Sequence, residues 1–250
     1  MEERNDKMDI SPEVKVKIPT SKRLENYWYH YKWHTIVGIL VIGILTVLLV
    51  QCKNKTEYDV NIVYAGEKVI STSSATGDGI TELSLITKAI ESVAKDYNDD
   101  GKVRFSLRNL HVLSLAELNA EKEKIDDPTQ RAALESSVQS ARQELRDVFY
   151  NDNYVYLLSE DVFREWDTSS DDTVFVNIGS YAKDGAEYDY ASERGIYISS
   201  LPIYASSDLS LLPPDTVLCL RMPGVLKSKN SDKAYEAAED LIRSLLAFGN

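Results

Sequence analysis

The chain has 250 residues, of which 43% are hydrophobic and 27% are charged, and its formal net charge is −12 at pH 7. This length is sufficient for a domain whose core needs no disulfides, and two cysteines exclude a scaffold built on disulfide bonds. The acidic balance argues against nucleic acid as a partner, because phosphate groups repel an acidic surface.

An uncharged stretch at 35–52 is the strongest pattern in the chain. Its eighteen residues read TIVGILVIGILTVLLVQC and contain no Asp, Glu, Lys or Arg. A helix of this length crosses the ~30 Å hydrocarbon core of a bilayer. Aromatic residues, which prefer the headgroup level, crowd its N-terminal side at Tyr27, Trp28, Tyr29, Tyr31 and Trp33. We therefore predict a transmembrane helix at 35–52, with the lipid bilayer as its partner.

The basic residues on either side of this stretch predict its orientation. Residues 1–34 contain seven Lys and Arg residues, whereas the nearby residues after the stretch offer only Lys53, Lys55 and Lys68. Lys and Arg stay preferentially in the cytoplasm. Residues 1–34 are thus predicted to form a cytoplasmic tail and juxtamembrane segment, and 53–250 an extracellular domain. A cleaved signal peptide fits less well, because its positive region would exceed thirty residues.

The predicted exterior domain is acidic, with 21 basic and 34 acidic residues at 53–250. Such a surface suits solubility and cations better than anionic lipid headgroups. Two interpretations of Cys52 stay open: a thiol at the outer end of the helix, or a lipid attachment site. Gln51, directly before it, is larger than the small residue that lipid attachment prefers.

Beyond the predicted span, strands alternate with helices. The run YDVNIVY predicts a strand at 58–64, and the loop STSSATGDG follows at 71–79. Apolar residues at intervals of three and four predict a helix over 83–97, and alternating residues predict a strand at 102–107. The capping box of Ser114 and Glu117 predicts the start of the next helix.

The second half of the domain continues this alternation. Pro128 is expected to open a long helix that reaches about residue 150. The remaining predicted strands are at 154–158, 173–178, 195–198 and 216–222, and the remaining helices at 159–166 and 231–248. This order favours an α/β fold, with one exterior three-layer domain built on a mixed, mostly parallel sheet.

One segment has the ligand spacing of a calcium loop. Residues 96–103 read D-x-N-x-D-G-x-V, which places oxygen ligands at positions 1, 3 and 5, in Asp96, Asn98 and Asp100. Gly101 permits the sharp turn at position 6, and Lys102 offers its backbone carbonyl at position 7. The segment has the first two-thirds of a loop of the EF-hand kind.

The last third of this loop is different. Leu107 stands where a bidentate acid is expected, and Arg104 stands where a side-chain oxygen is expected. A turn closed by Asx-type hydrogen bonds, without metal, is the alternative interpretation. The segment resembles the calcium loop of the bacterial galactose-binding periplasmic protein, which also joins a helix to a strand and takes its final carboxylate from elsewhere. This resemblance implies calcium ligands at Asp96, Asn98, Asp100 and the carbonyl of Lys102.

Other candidate sites have weaker patterns. His111 is the one histidine after the span, and a half-buried structural role is favoured over a Ser-His-Asp triad. The loop at 71–79 follows the first strand, where doubly wound folds line a ligand crevice. Its hydroxyl side chains are expected to face either a small ligand or only solvent: Ser71, Thr72, Ser73, Ser74 and Thr76. The pair Asp171 and Asp172 is expected to face water.

Two longer segments carry a resemblance. The stretch ENYWYHYKWHTIVGIL at 25–40 is similar to the juxtamembrane segments of uncharacterised single-pass membrane proteins of Gram-positive Firmicutes. The strand VLCLRM with the Ala-rich final helix resembles the close of a solute-binding-protein lobe. Together they imply a membrane-anchored exterior α/β domain of solute-binding-like fold. Our leading hypothesis is a non-enzymatic domain of this kind that binds a ligand or protein partner and is stabilised by calcium at 96–102. The alternatives are a hydrolase of cell-envelope glycans with paired carboxylates, and an accessory subunit of a membrane complex.

Overall fold

The computed structural model describes residues 19–53, 58–74, 79–168, 174–182, 187–224 and 231–248. Some positions with sequence predictions lie outside these ranges, among them Thr76, Thr173, Asp171 and Asp172, and so does the side chain of Cys52. The chain divides into two units, Met1–Thr56 and Glu57–Asn250. We call the second unit the sheet domain.

The first unit contains one long helix, α1, at Thr20–Lys53. Its 34 residues span about 51 Å at the rise of an α-helix. Within it, Tyr27–Val50 is long and apolar enough to cross a membrane, and none of this segment is buried. No other helix among the described residues has both properties. A core helix of a soluble domain would hide its apolar side chains, and α1 does not hide them.

The sheet domain is built on a six-stranded sheet with the order β2-β1-β3-β6-β5-β4. The strands are β1 Val60–Gly66, β2 Phe105–His111, β3 Val155–Ser159, β4 Tyr190–Ser192, β5 Gly195–Tyr197 and β6 Thr216–Leu220. β1 is parallel to β2 and to β3, and the three remaining pairings are antiparallel. The predicted α/β class and mixed sheet are confirmed, with the parallel strands together at one end. The expectation of a mostly parallel sheet is wrong for the sheet as a whole, because β6 runs antiparallel to β3 and the pairings beyond it are antiparallel too.

The two helix starts that the sequence predicts from their first residues, those of α3 and α4, are confirmed. The helices in the described residues of the sheet domain are α2 Glu82–Glu91, α3 Leu115–Glu123, α4 Pro128–Phe149, α5 Glu160–Thr168, α6 Pro202–Ser206 and α7 Ser231–Ala247. The Ser114 hydroxyl accepts from the Glu117 N–H at 3.1 Å, and the Glu117 carboxylate accepts from the Ser114 N–H at 2.6 Å. This reciprocal pair is the capping box that the sequence predicts. Pro128 opens α4, also as expected.

Buried side chains cover both faces of the sheet. Along β3, Val155 and Leu157 belong to one buried cluster, whereas Tyr156 and Leu158 belong to another. Successive strand residues point to opposite sides, so the two clusters lie on opposite faces. We call the side of Leu157 the first face and the side of Leu158 the second face. α2 and α7 contribute apolar side chains to the first face, and α4 and α5 to the second.

Two predicted elements differ from the structure. The predicted strand at 173–178 is reduced to a single bridge between Phe175 and Arg221, followed by a 3-10 turn at Ile178–Tyr181. The reason is that β5 already occupies this side of β6, where Ile196 pairs with Leu218. β2 begins at Phe105, not at residue 102, because the preceding residues belong to the loop that follows α2. The short strand β4 was not predicted.

Candidate functional site

The predicted calcium loop lies between α2 and β2 and forms a sharp turn. α2 ends at Glu91, earlier than predicted, and the chain leaves the helical path before the loop begins. Asp99 and Gly101 have positive φ angles of 58° and 81°. Glycine adopts this left-handed region without strain, and Asp tolerates it better than most residues. The glycine-dependent turn is therefore confirmed.

The side-chain oxygens of this loop accept its own backbone N–H groups. The two carboxylate oxygens of Asp96 accept from Asp100 at 3.2 Å and from Gly101 at 2.7 Å. The Asn98 oxygen accepts from Asp100 at 2.9 Å, and Asp100 accepts from Lys102 at 2.9 Å. These are hydrogen bonds of the Asx type. The structure thus gathers the three predicted side-chain ligands in one turn.

Asp59 attaches this loop to the start of β1. Its side chain is buried, and one oxygen accepts from the N–H groups of Tyr97 and Asn98 at 2.7 and 3.0 Å. The other oxygen accepts from Arg104 at 2.8 Å. Sequence reasoning missed this residue, because its partners are 38 to 45 residues away. The one signal in the sequence that could have identified it is a carboxylate at the start of an apolar strand.

Arg104 places a cation beside the predicted ligands. Its guanidinium forms an ion pair with the Asp100 carboxylate, and about a third of each side chain is exposed. Within the part of the chain that the structure describes, no group of three or more His, Cys, Asp and Glu side chains is arranged to hold a metal ion. The calcium site stays a prediction, with the ligands Asp96, Asn98, Asp100 and the Lys102 carbonyl.

A second group of polar side chains lies at the carboxyl ends of the parallel strands. β1, β2 and β3 end there with Gly66, His111 and Ser159. Because β6 runs antiparallel to β3, its first residue, Thr216, lies beside Ser159. We call this end of the sheet the carboxyl edge. Ser159 follows Leu157 by two residues and Thr216 precedes Leu218 by two, so both side chains are on the first face.

The hydroxyl of Tyr64 reaches the same edge. A β-carbon on Gly66 would lie 3.0 Å from the Tyr64 hydroxyl oxygen and 3.2 Å from the Ser159 β-carbon. Glycine at this position therefore leaves room for the phenol beside Ser159. Burial raises the pKa of Tyr64, and nearby carboxylates raise it further, at Asp215, Glu67 and Glu117. The phenol is neutral at physiological pH.

Two of the hydroxyl residues that the sequence placed near a ligand, Ser71 and Ser73, are hydrogen-bonded to each other. The Ser71 hydroxyl donates to the Ser73 carbonyl at 3.0 Å, and the Ser71 N–H donates to the Glu82 carboxylate at 3.0 Å. His111 is exposed, so the expectation of a half-buried histidine is wrong. The reason is that it ends β2, which is an outer strand of the sheet.

Comparison with known proteins gives no function to transfer. The chain matches no protein-family model, and neither a curated protein nor a solved structure is significantly similar to it. Function is therefore argued from the residues themselves. The loop fixed by Asp59 and the hydroxyl groups of the carboxyl edge are two places where the structure gathers polar groups.

Proposed function

We propose that the chain is a membrane-anchored extracytoplasmic domain that binds a ligand or a protein partner. In this proposal α1 crosses the bilayer, residues 1–34 lie in the cytoplasm, and 53–250 form a three-layer α/β domain outside. The observation that carries it is the segment Tyr27–Val50, which is apolar and has no buried residues. A helix with apolar side chains all round is stable where lipid surrounds it.

Two features of the sheet domain support a binding role. Its sheet has a buried cluster on each face, so the domain has its own core. Hydroxyl groups gather at its carboxyl edge, and ligands of open α/β sheets bind outside the carboxyl ends of the strands. The resemblance to a solute-binding lobe belongs to this proposal and points to the same kind of activity.

Calcium at residues 96–102 is proposed as a stabiliser of the domain. Three oxygen-bearing side chains lie within one turn of this loop, at Asp96, Asn98 and Asp100. Carboxylate and amide oxygens suit a hard cation, and weak sites of ~10⁻⁴–10⁻³ M are filled outside the cell. This site would add stability and is separate from the carboxyl edge.

Protease accessibility tests the proposed topology. Intact cells that express the chain with a tag at each end are treated with a protease that cannot enter. We expect loss of the C-terminal tag and survival of the N-terminal tag, because the Lys and Arg residues before the span favour a cytoplasmic N-terminus. Detergent permeabilisation is the control and should expose both tags. Survival of the C-terminal tag in intact cells would contradict the proposal.

A further inference from the structure

At the carboxyl edge, the connections that leave successive strands run in opposite directions across the sheet: β1 is followed by β2 on one side of it, and β2 by β3 on the other. β1 lies between β2 and β3 and is parallel to both. The connection from β1 to β2 runs through α2, which packs on the first face. The connection from β2 to β3 runs through α3 and α4, and α4 packs on the second face. In open α/β sheets, a reversal of this kind opens a crevice in which ligands bind.

Three hydroxyl groups gather on the first face at this reversal. Ser159 and Thr216 are direct cross-strand neighbours, so their β-carbons are about 5 Å apart. The Tyr64 hydroxyl oxygen and the β-carbon of Ser159 both border the space over Gly66, at 3.0 and 3.2 Å from where a β-carbon on that glycine would lie. The strands that carry these three side chains are adjacent in the sheet, in the order β1, β3, β6. The sheet therefore holds them in fixed positions.

Two of these hydroxyls lack hydrogen-bond partners. The Oγ of Ser159 and the Oγ1 of Thr216 are buried and have no partner among the residues that the structure describes. Thr216 is 1% exposed. Buried polar groups in folded proteins are nearly always hydrogen-bonded, and an orphaned group lowers the free energy of unfolding. The two oxygens are thus placed for a partner that the chain does not supply.

The charge around these hydroxyls is negative. Carboxylates act on the Tyr64 phenol from three positions, Asp215, Glu67 and Glu117. Lys68 is engaged elsewhere, because its ammonium donates to the Leu211 carbonyl at 2.5 Å and lies 3.7 Å from the Glu82 carboxylate. A negative surrounding disfavours an anionic ligand and favours a cationic one.

We propose that the carboxyl edge binds a primary ammonium group through the hydroxyls of Tyr64, Ser159 and Thr216. An ammonium group has three N–H donors and no acceptor, and three hydroxyl oxygens match it. The burial of the Ser159 and Thr216 oxygens limits the occupant to a small head group. This inference rests on the proposed binding role and names the chemical class of the ligand.

Thermal unfolding of the full chain in detergent tests the site with two salts of the same charge. Methylammonium chloride has N–H donors, whereas tetramethylammonium chloride has none. At about ten times Kd, methylammonium is expected to raise the unfolding midpoint by about 3 °C over an equal concentration of tetramethylammonium. Equal midpoints in the two salts at every concentration would overturn the proposal.

Two substitutions at one position locate the effect. Thr216→Val removes the hydroxyl and keeps the shape, so the midpoint without ligand should equal or exceed that of the parent chain. This variant is expected to lose the response to methylammonium, whereas Thr216→Ser retains the hydroxyl and should keep it. A full response in the valine variant would also overturn the proposal. The protease assay reads topology independently of these midpoints, so the two failures are distinguishable.

Discussion

A single buried carboxylate, that of Asp59, connects two distant parts of the sheet domain. Both of its oxygens accept backbone N–H groups, which come from Tyr97, Asn98 and Arg104. Its own N–H donates to the Arg104 carbonyl at 2.8 Å. A charged group that is 7% exposed is tolerated because these hydrogen bonds replace its water shell. The loop after α2 therefore depends on a residue at the start of β1.

Asp59→Asn is expected to lower the free energy of unfolding by about 1–3 kcal/mol. The amide oxygen can still accept, but the amide NH2 group replaces the other carboxylate oxygen and is itself a donor. It cannot accept from a backbone N–H group, so at least one hydrogen bond is lost. Urea titration followed by circular dichroism measures the change. Asp99→Asn is the control and should be nearly neutral, because Asp99 is exposed and Asn also tolerates positive φ. Equal losses in the two variants would contradict this role of Asp59.

The calcium prediction is tested by thermal unfolding of the chain with millimolar calcium and with a chelator. A site formed by Asp96, Asn98 and Asp100 raises the midpoint in calcium, because a ligand of the folded state stabilises that state. Asp96→Asn should reduce this rise, since it removes one charge from the ligand set. The same midpoint in calcium and in chelator would remove the site from the proposal.

The sequence could predict the local part of this loop but not the whole. The spacing of Asp96, Asn98, Asp100 and Gly101 specifies a turn, because those contacts are made within six residues. The contacts of Asp59 depend on which strand lies beside the loop, and that is decided by tertiary structure. The group of hydroxyls at the carboxyl edge could not be predicted for the same reason, because they come from three strands that are far apart in sequence.

At the scale of the elements, hydrogen bonds at helix ends determine where α3 and α4 begin. The Ser114 side chain caps α3, and the Asp127 side chain accepts from the Thr129 N–H at 2.8 Å to cap α4. Such caps satisfy donors that have no partner within the helix. These signals are local, and for this reason both helix starts could be predicted from the sequence.

Ser114→Ala is expected to destabilise the domain by about 1 kcal/mol, because it removes the cap of α3. Ser137→Ala is the matched control, since Ser137 is exposed in the interior of α4, where alanine is the better helix former. Chemical denaturation of the two variants checks the difference. A larger loss from the control than from Ser114→Ala would contradict the assignment of the cap.

Strands were harder to predict than helices, because a strand forms only where a neighbouring strand is available to pair with it. The pattern at 173–178 suits a strand, but β5 already pairs with Val217 and Leu218 on this side of β6, and only Phe175 forms a bridge, to Arg221. β4 has only three residues and an irregular register, so its alternation is too short to stand out. In the first case the competition for a place in the sheet is invisible in the sequence, and in the second the strand is too short to show a pattern.

At the scale of the whole molecule, the middle of the sheet is closed to solvent. Cys219 lies in β6, between β3 and β5, and is fully buried. Burial raises the pKa of its thiol, which keeps the reactive thiolate scarce. A reagent reaches this sulfur only when the sheet opens.

Alkylation of Cys219 is expected to be negligible in the folded protein and complete in concentrated urea. A Cys52→Ser background removes the other thiol, and mass spectrometry counts the label. At intermediate urea, the rate of labelling should follow the population of unfolded chains measured by circular dichroism. Labelling of folded protein at the rate of a free thiol would contradict the buried position of this residue.

The pairing of β1 has a consequence for the order of assembly during synthesis. Ile62 pairs with Leu107 and with Val155, which follow it by 45 and 93 residues. β1 is the first strand of the sheet to leave the ribosome, and it cannot pair until β2 and β3 have been synthesised. β6 is made later still. Pairings over such distances close slowly, because long loops must be ordered first. The nascent domain stays unassembled through most of translation, and during that time its apolar strands need protection from aggregation.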